Sequence, residues 1–147
     1  SSKDLHYIKE SQVIWTPESW HKEDWPNFSF DEMSCHHCGE NGMHILLMDI
    51  LQQIRRTSGP LTVTSGFRCE LHPVETAKNQ PGSHTFGKAV DLAVRGSKAL
   101  EVLTLGIEYG MQGFGISQTG DSRFVHLDTM NSNDDGGRFP RPTIWSY

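Results

Sequence analysis

His84 and Asp91 stand seven residues apart in Gly82-Ser83-His84-Thr85-Phe86-Gly87-Lys88-Ala89-Val90-Asp91, with Gly87 between them. After the glycine the pattern turns apolar and alternating through Ala89, Val90, Leu92 and Val94, so His84 sits on a loop and Asp91 on the strand it enters. A neutral imidazole and a carboxylate brought together this way can hold zinc. Zinc takes such ligands at about 2.0–2.2 Å, and catalytic sites combine about three protein ligands with a water. The third ligand on offer is His126, in the short apolar strand Arg123-Phe124-Val125-His126-Leu127-Asp128. The plainer alternative is two structural histidines and a surface aspartate, and spacing alone does not separate the two.

A second group could also do chemistry. Cys35-His36-His37-Cys38 is one Cys-x-x-Cys knuckle, and Cys69-Glu70-Leu71-His72 is a Cys-x-x-His partner. Together they fit a closed tetrahedral zinc site of Cys35, Cys38, Cys69 and His72 that pins the N-terminal segment to the loop after the first strand. His36 or His37 could replace His72. The competing readings are a disulfide using Cys69, three buried free thiols, or a redox-active Cys35–Cys38 pair.

These residues need elements to position them. The first thirty residues are irregular and punctuated by Trp15, Trp20, Trp25, Pro17 and Pro26, and the tryptophans are expected to cover the core. Thr16-Pro17 suits a helix start, with Thr16 as cap. From Asn41 a helix is predicted, with Met43, Leu46, Leu47, Ile50, Leu51 and Ile54 on one apolar face, Arg55 and Arg56 near its end and Gly59-Pro60 stopping it. Leu61-Thr62-Val63-Thr64 is a strand that leads through Ser65-Gly66-Phe67 to Arg68, a charge that alone would ordinarily be a solvated surface residue. The polar loop from Glu70 to Gly82 is long enough to suggest function. Ser97 caps a second helix through Tyr109, with Leu100, Leu103, Leu105 and Ile107 on or near the buried side. Gly113-Phe114-Gly115-Ile116 and the strand of His126 are expected to form a hairpin through Thr119-Gly120-Asp121. The tail from Arg141 to Tyr147 is expected to dock its aromatics on the domain.

A chain of 147 residues is long enough for one domain with a real core, read here as a single unit over 1–147 with an irregular segment 1–34 and a packed tail 131–147. A formal charge of −5 argues against non-specific binding to nucleic acid or anionic membranes. No apolar run approaches the roughly 18–20 residues of a membrane span, and the polar start Ser1-Ser2-Lys3-Asp4 shows no signal-peptide pattern. Three cysteines cannot all pair internally, which disfavours a secreted disulfide scaffold.

The order Ser65-Gly66-Phe67-Arg68, then His84-x-x-Gly87-x-Ala89-x-Asp91, then His126 on a late strand resembles the zinc D-Ala-D-Ala peptidases. That superfamily also holds phage L-alanyl-D-glutamate endopeptidases, vancomycin-resistance dipeptidases and the hedgehog signalling domain. The resemblance covers roughly Phe28 to Asp128 and looks most like small phage-encoded members. It implies an α+β fold with helices packed on a small antiparallel sheet, in agreement with the elements above. It also implies His84, Asp91 and His126 as ligands of a catalytic zinc and Arg68 as the group that stabilises the developing oxyanion. The implied substrate is a peptidoglycan stem peptide, cut at a bond involving a D-amino acid by a monomeric lysin or virion-associated peptidase, in the host cytoplasm or the virion.

Two departures bear on catalysis. Where many members carry a catalytic His two residues, or a Glu three residues, before the last ligand, this chain has Phe124 and Arg123, and Gly82 replaces a common serine. The general base therefore does not carry over. Residues i and i+2 of a strand share a face, so Asp128 lies on the side of His126, either as the base or as a partner that orients it. Asp121 is a weaker candidate. Without a base, the chain could instead be a zinc-stabilised module that binds wall or virion.

Overall fold

A computed structural model describes residues 12–147. The polar start Ser1-Ser2-Lys3-Asp4 lies outside the described residues.

The segment before the first long helix departs from the periodicity. Residues Met43–His44 form a strand, β2, paired antiparallel with β1 (Val13–Ile14), and the helix α2 runs over Ile45–Ser58 rather than from Asn41. The cause is a local side-chain bond. Asn41 is buried; its amide donates to Phe30 O (3.1 Å) and Ser34 Oγ (3.3 Å), and its oxygen accepts from Met43 N (2.8 Å). An asparagine that captures its own backbone two residues on competes with the helix. Leu47, Met48, Ile50, Leu51 and Ile54 form the buried face of α2, whereas Leu46 points outward at 59% exposure. Each such side chain, fully buried, contributes about 1.5–3 kcal/mol. Gly59 at φ +85° ends the helix.

The short helix α1 (Phe30–Met33) carries a capping box. Ser29 Oγ accepts from Glu32 N, and Glu32 Oε1 accepts from Ser29 N. At Pro17–Ser19 the anticipated turn is a 3₁₀ helix preceded by Thr16. Trp20 and Trp25 are buried, and their indole N–H groups donate to Phe28 O and Asp49 Oδ1, both at 2.9 Å; Trp15 is exposed.

The main sheet has five strands in the order β3 (Val63–Ser65), β4 (Ala89–Leu92), β6 (Phe124–Asp128), β5 (Gly113–Ser117) and β7 (Thr143–Ser146). The first four pair antiparallel, with β5 and β6 forming the expected hairpin. The tail adds β7 parallel to β5, so the α+β sheet is mixed rather than wholly antiparallel. β4 and β6 are central and almost completely buried.

The helix α4 (Gly96–Tyr109) packs beside α2. Its buried face is Ala99, Val102, Leu105 and Gly106, while Leu100 and Ile107 are each 67% exposed. Of the predicted face, Leu105 is buried and Leu103 partly so, whereas Leu100 and Ile107 fall outside the arc that turns Gly106 onto Phe114 and Leu127. The long loop holds a single helical turn, α3 (Pro73–Thr76), and a 3₁₀ turn at Ser83–Phe86 leads into β4. No helix among the described residues is long and apolar enough to cross a membrane.

Candidate metal centre and active site

One row of residues crosses the sheet. Ser65 on β3 lies opposite Asp91 on β4, Asp91 opposite His126 on β6, His126 opposite Gly115 on β5, and Gly115 opposite Trp145 on β7. A register shift between Val63 and Ser65 brings Ser65 into this row. His84 reaches the same place from the 3₁₀ turn. Gly87 allows that entry: it takes φ +70°, and a side chain there would collide with the Gly42 carbonyl.

His84, Asp91 and His126 each offer a ligand atom, and the three atoms lie within 4.8 Å of one another. All three residues are buried. His84 Nδ1 sits 2.7 Å from the Gly66 carbonyl, which can only accept, so this nitrogen carries the proton. Its Nε2 lone pair is thereby left facing Asp91 Oδ1 at 3.3 Å. His126 uses both nitrogens: Nδ1 lies 3.1 Å from Asp91 Oδ1, and Nε2 lies 2.7 Å from Asp128 Oδ2. Two imidazole nitrogens and a carboxylate oxygen that converge in this way, each with its far side tethered, fit a zinc ion.

The ionisation of the cluster follows from its contacts. Burial pushes the His84 imidazole below its ordinary value, so it is neutral, as a ligand must be. Burial alone would raise Asp91, but the hydrogen bond from His126 and the close approach of the His84 ring more than offset it and hold the carboxyl well below the usual range. Burial would lower His126, yet Asp128 and Asp91 on its two sides raise it. Burial would likewise raise Asp128, and His126 with Arg141 lowers it instead.

Asp128 therefore shares the strand face of His126, as its spacing predicts, but contacts the ring nitrogen turned away from Asp91. Fully buried, its carboxylate accepts from His126 Nε2, Met130 N (3.2 Å), Arg141 Nε (2.9 Å) and Arg141 Nη2 (2.8 Å). Two donors fall on each carboxylate oxygen. Glycine at 113 permits it, since a methyl group there would overlap the Asp128 carboxylate; a methyl at 115 would come within 2.7 Å of Trp145 Nε1.

Arg68 is not a free surface charge. Its Nε donates to Ser65 Oγ (3.0 Å), Nη1 to Glu75 Oε2 (3.1 Å) and Nη2 to Asp91 Oδ2 (3.4 Å). Glu75 is buried and also accepts from Lys78 Nζ (3.0 Å) and Gly82 N (2.7 Å). Burial would raise its carboxyl, but the Gly82 amide, Lys78 and Arg68 together lower it. Sequence reasoning missed Glu75, although it lies in the loop whose length suggested function. It also missed Arg141 and Trp145, whose indole packs 5.1 Å from the His126 ring. Asp121 is exposed in the β5–β6 turn, and Phe124 packs on Tyr147 with centroids 5.1 Å apart.

Cys35, Cys38 and Cys69 form a second group whose sulfurs lie within 4.8 Å of one another, and all three are free thiols. His72 is not in this group: its Nδ1 accepts from Val74 N at 3.1 Å and caps α3. His37 Nδ1 lies 3.5 Å from Cys69 Sγ.

A family model described as peptidase M15 matches residues 26–128, which include both groups and Arg68. No curated protein and no solved structure matches the chain. With the match covering most of the sequence, the chain belongs to the peptidase M15 family, whose members are zinc-dependent metallopeptidases.

Proposed function

We propose that the protein is a zinc peptidase that hydrolyses peptidoglycan stem peptides at a bond involving a D-amino acid, acting as a phage lysin or a virion-associated wall hydrolase. The observation that carries this reading is the convergence of His84 Nε2, Asp91 Oδ1 and His126 Nδ1 beside an anchored Arg68. His84, Asp91 and His126 would hold the metal. Zinc bound there supplies a Lewis acid and an acidified water.

The chain's own residues do the rest. The Gly66 carbonyl and Asp128 keep protons on the outward nitrogens of His84 and His126, so the inward lone pairs face the metal. Arg68, fixed at three points, presents its guanidinium beside Asp91 to a carbonyl oxygen that gains charge in the transition state. Because those bonds already exist before substrate arrives, little reorganisation accompanies the reaction. Trp145 flanks His126 and limits water on that side.

One observation favours a second reading, a zinc-stabilised module that binds wall without cutting it. Asp128 and Glu75, the buried carboxylates beside the centre, are both committed to ion pairs, and Phe124 stands where relatives carry a base. Digestion of purified peptidoglycan by zinc-loaded protein, read by mass spectrometry, separates the two. A discrete fragment supports the peptidase, and its mass names the bond. Folded, zinc-loaded protein that sediments with wall and releases nothing supports the module.

A further inference from the structure

The cysteine cluster has no part in the peptidase centre, yet its construction is specific. Cys35 and Cys38 sit on one tight turn. Gly39 N donates to Cys35 O (2.8 Å), Cys35 N donates to Glu40 O (2.7 Å), and Gly39 closes the turn at φ +78°. Cys69, 34 residues later, joins them from the other side, and its backbone N–H donates to Cys35 Sγ at 3.3 Å. A thiol is a weak acceptor and a thiolate a far better one, so an amide aimed at sulfur suits a metal-bound thiolate. Tetrahedral zinc with Zn–S near 2.3 Å sets sulfurs about 3.8 Å apart, a spacing compatible with three sulfurs gathered within 4.8 Å. A disulfide would use two of the three and leave the third beside them unexplained.

The fourth position goes to a histidine. His72 spends Nδ1 on the α3 cap, whereas His37 lies inside the Cys-x-x-Cys turn with Nδ1 3.5 Å from Cys69 Sγ. We propose that Cys35, Cys38, Cys69 and His37 bind a second, structural zinc ion, which fixes the segment carrying Arg68.

The link to Arg68 is direct. Cys69 follows Arg68 in sequence. Phe67 N donates to Met33 O (2.9 Å), two residues before Cys35, and Arg68 N donates to His84 O (3.2 Å). Gly66, which holds His84, is on the same short segment. A zinc ion that joins Cys69 to the Cys35 turn clamps this segment from below. Loading deprotonates the three thiols and releases their protons to solvent.

The test uses the full chain carrying His84→Ala and His126→Ala, so that only the proposed site can hold metal and the peptidase assignment is not at stake. After zinc loading and desalting it should retain about one zinc ion. Cobalt in its place should give an intense near-ultraviolet thiolate-to-cobalt charge-transfer band. Adding Cys69→Ser should remove most of that band. His37→Ala should weaken retention at least tenfold against a chelator, and His72→Ala should not. If the triple variant does not fold, the band in the double variant still decides the matter. No retained metal, three thiols that react freely in the native double variant, or an intact mass two hydrogens light from a disulfide would each overturn the site. Loss of metal in His72→Ala but not in His37→Ala would overturn the choice of fourth ligand. In the wild-type chain, Cys69→Ser should lower kcat with one zinc retained, as expected of a positioning residue.

Discussion

Replacing Asp128 by Asn separates a base from an orienting carboxylate. The Asp128 carboxylate accepts four hydrogen bonds, with His126 Nε2 and Arg141 Nη2 on Oδ2 and Arg141 Nε and Met130 N on Oδ1. Asn keeps the oxygen that serves Met130 and Arg141 Nε, so its NH₂ falls opposite two donors. His126 can relieve that clash only by moving its proton to Nδ1, the nitrogen that faces Asp91 and the metal. The variant should therefore bind zinc about 10–100-fold more weakly, or about 1.4–2.7 kcal/mol. Arg141, whose side chain is only 7% exposed, loses its charge partner, which costs about 3 kcal/mol. That lowers the melting point by about 10 °C and leaves the fold intact. Zinc affinity is read by competition with a chromophoric chelator, and hydrolysis is read at saturating zinc. The expected result is weakened affinity with activity recovered at high zinc. An affinity within about twofold of wild type, with hydrolysis down by a factor of about 10²–10⁴ at saturation, would refute the orienting role and restore Asp128 as base.

Three other outcomes follow from the same geometry. Arg68→Ala should cost about 10²–10³ in kcat with zinc content unchanged, measured on a defined stem-peptide fragment, as for loss of an oxyanion donor. Gly113→Ala, which places a methyl against the Asp128 carboxylate, should lower stability by about 1–3 kcal/mol in urea titrations and also weaken zinc binding. Glu75 is a carboxyl whose folded pKa is depressed, so its stabilisation is present above the unfolded value and is lost as pH falls through the folded one. In chelator, the urea midpoint should therefore drop as pH falls from about 5, and Glu75→Gln should flatten that dependence; an unchanged slope would count against the Arg68–Glu75 pair.

The metal cluster was legible because its signal is local in type even though its parts are distant. A histidine, a glycine and an aspartate leading into an apolar strand leave few readings, and His126 stands on the next buried strand. The long helices and the β5–β6 hairpin were legible for the same reason, since periodicity and turn residues act over short range. What was not legible depends on contacts made across the fold. Nothing near Arg68 marks Glu75 as its partner, because a single turn of helix in an irregular loop brings them together. Leu46, Leu100 and Ile107 fit an apolar pattern but fall just outside the arc each helix buries. The switch from helix to strand at Met43 turned on one asparagine side chain, a choice that averaging over a window hides. The Ser29–Glu32 capping box, by contrast, was written in Ser-Phe-Asp-Glu and went unread.

The charge of Asp128 shows why the tail belongs to the site even though the family match ends at that residue. A carboxylate with no exposure needs a compensating cation. His126 is one candidate, since Asp91 and Asp128 on its two sides raise it above its ordinary value. With a metal on Nδ1, His126 would be a neutral donor to Asp128 through Nε2. The compensation must then come from elsewhere, and the two-pronged contact from Arg141 provides it whatever occupies the centre. Arg141 is in turn placed by the parallel pairing of β7 on β5, and its guanidinium lies 5.1 Å from the Trp145 ring of that strand. The parallel edge strand thus does more than close the sheet. It holds in place the bend just before it, where Arg141 supplies the positive charge that would let a fully buried aspartate stay ionised behind a metal-bound histidine, and so let His126 keep the tautomer that binding requires.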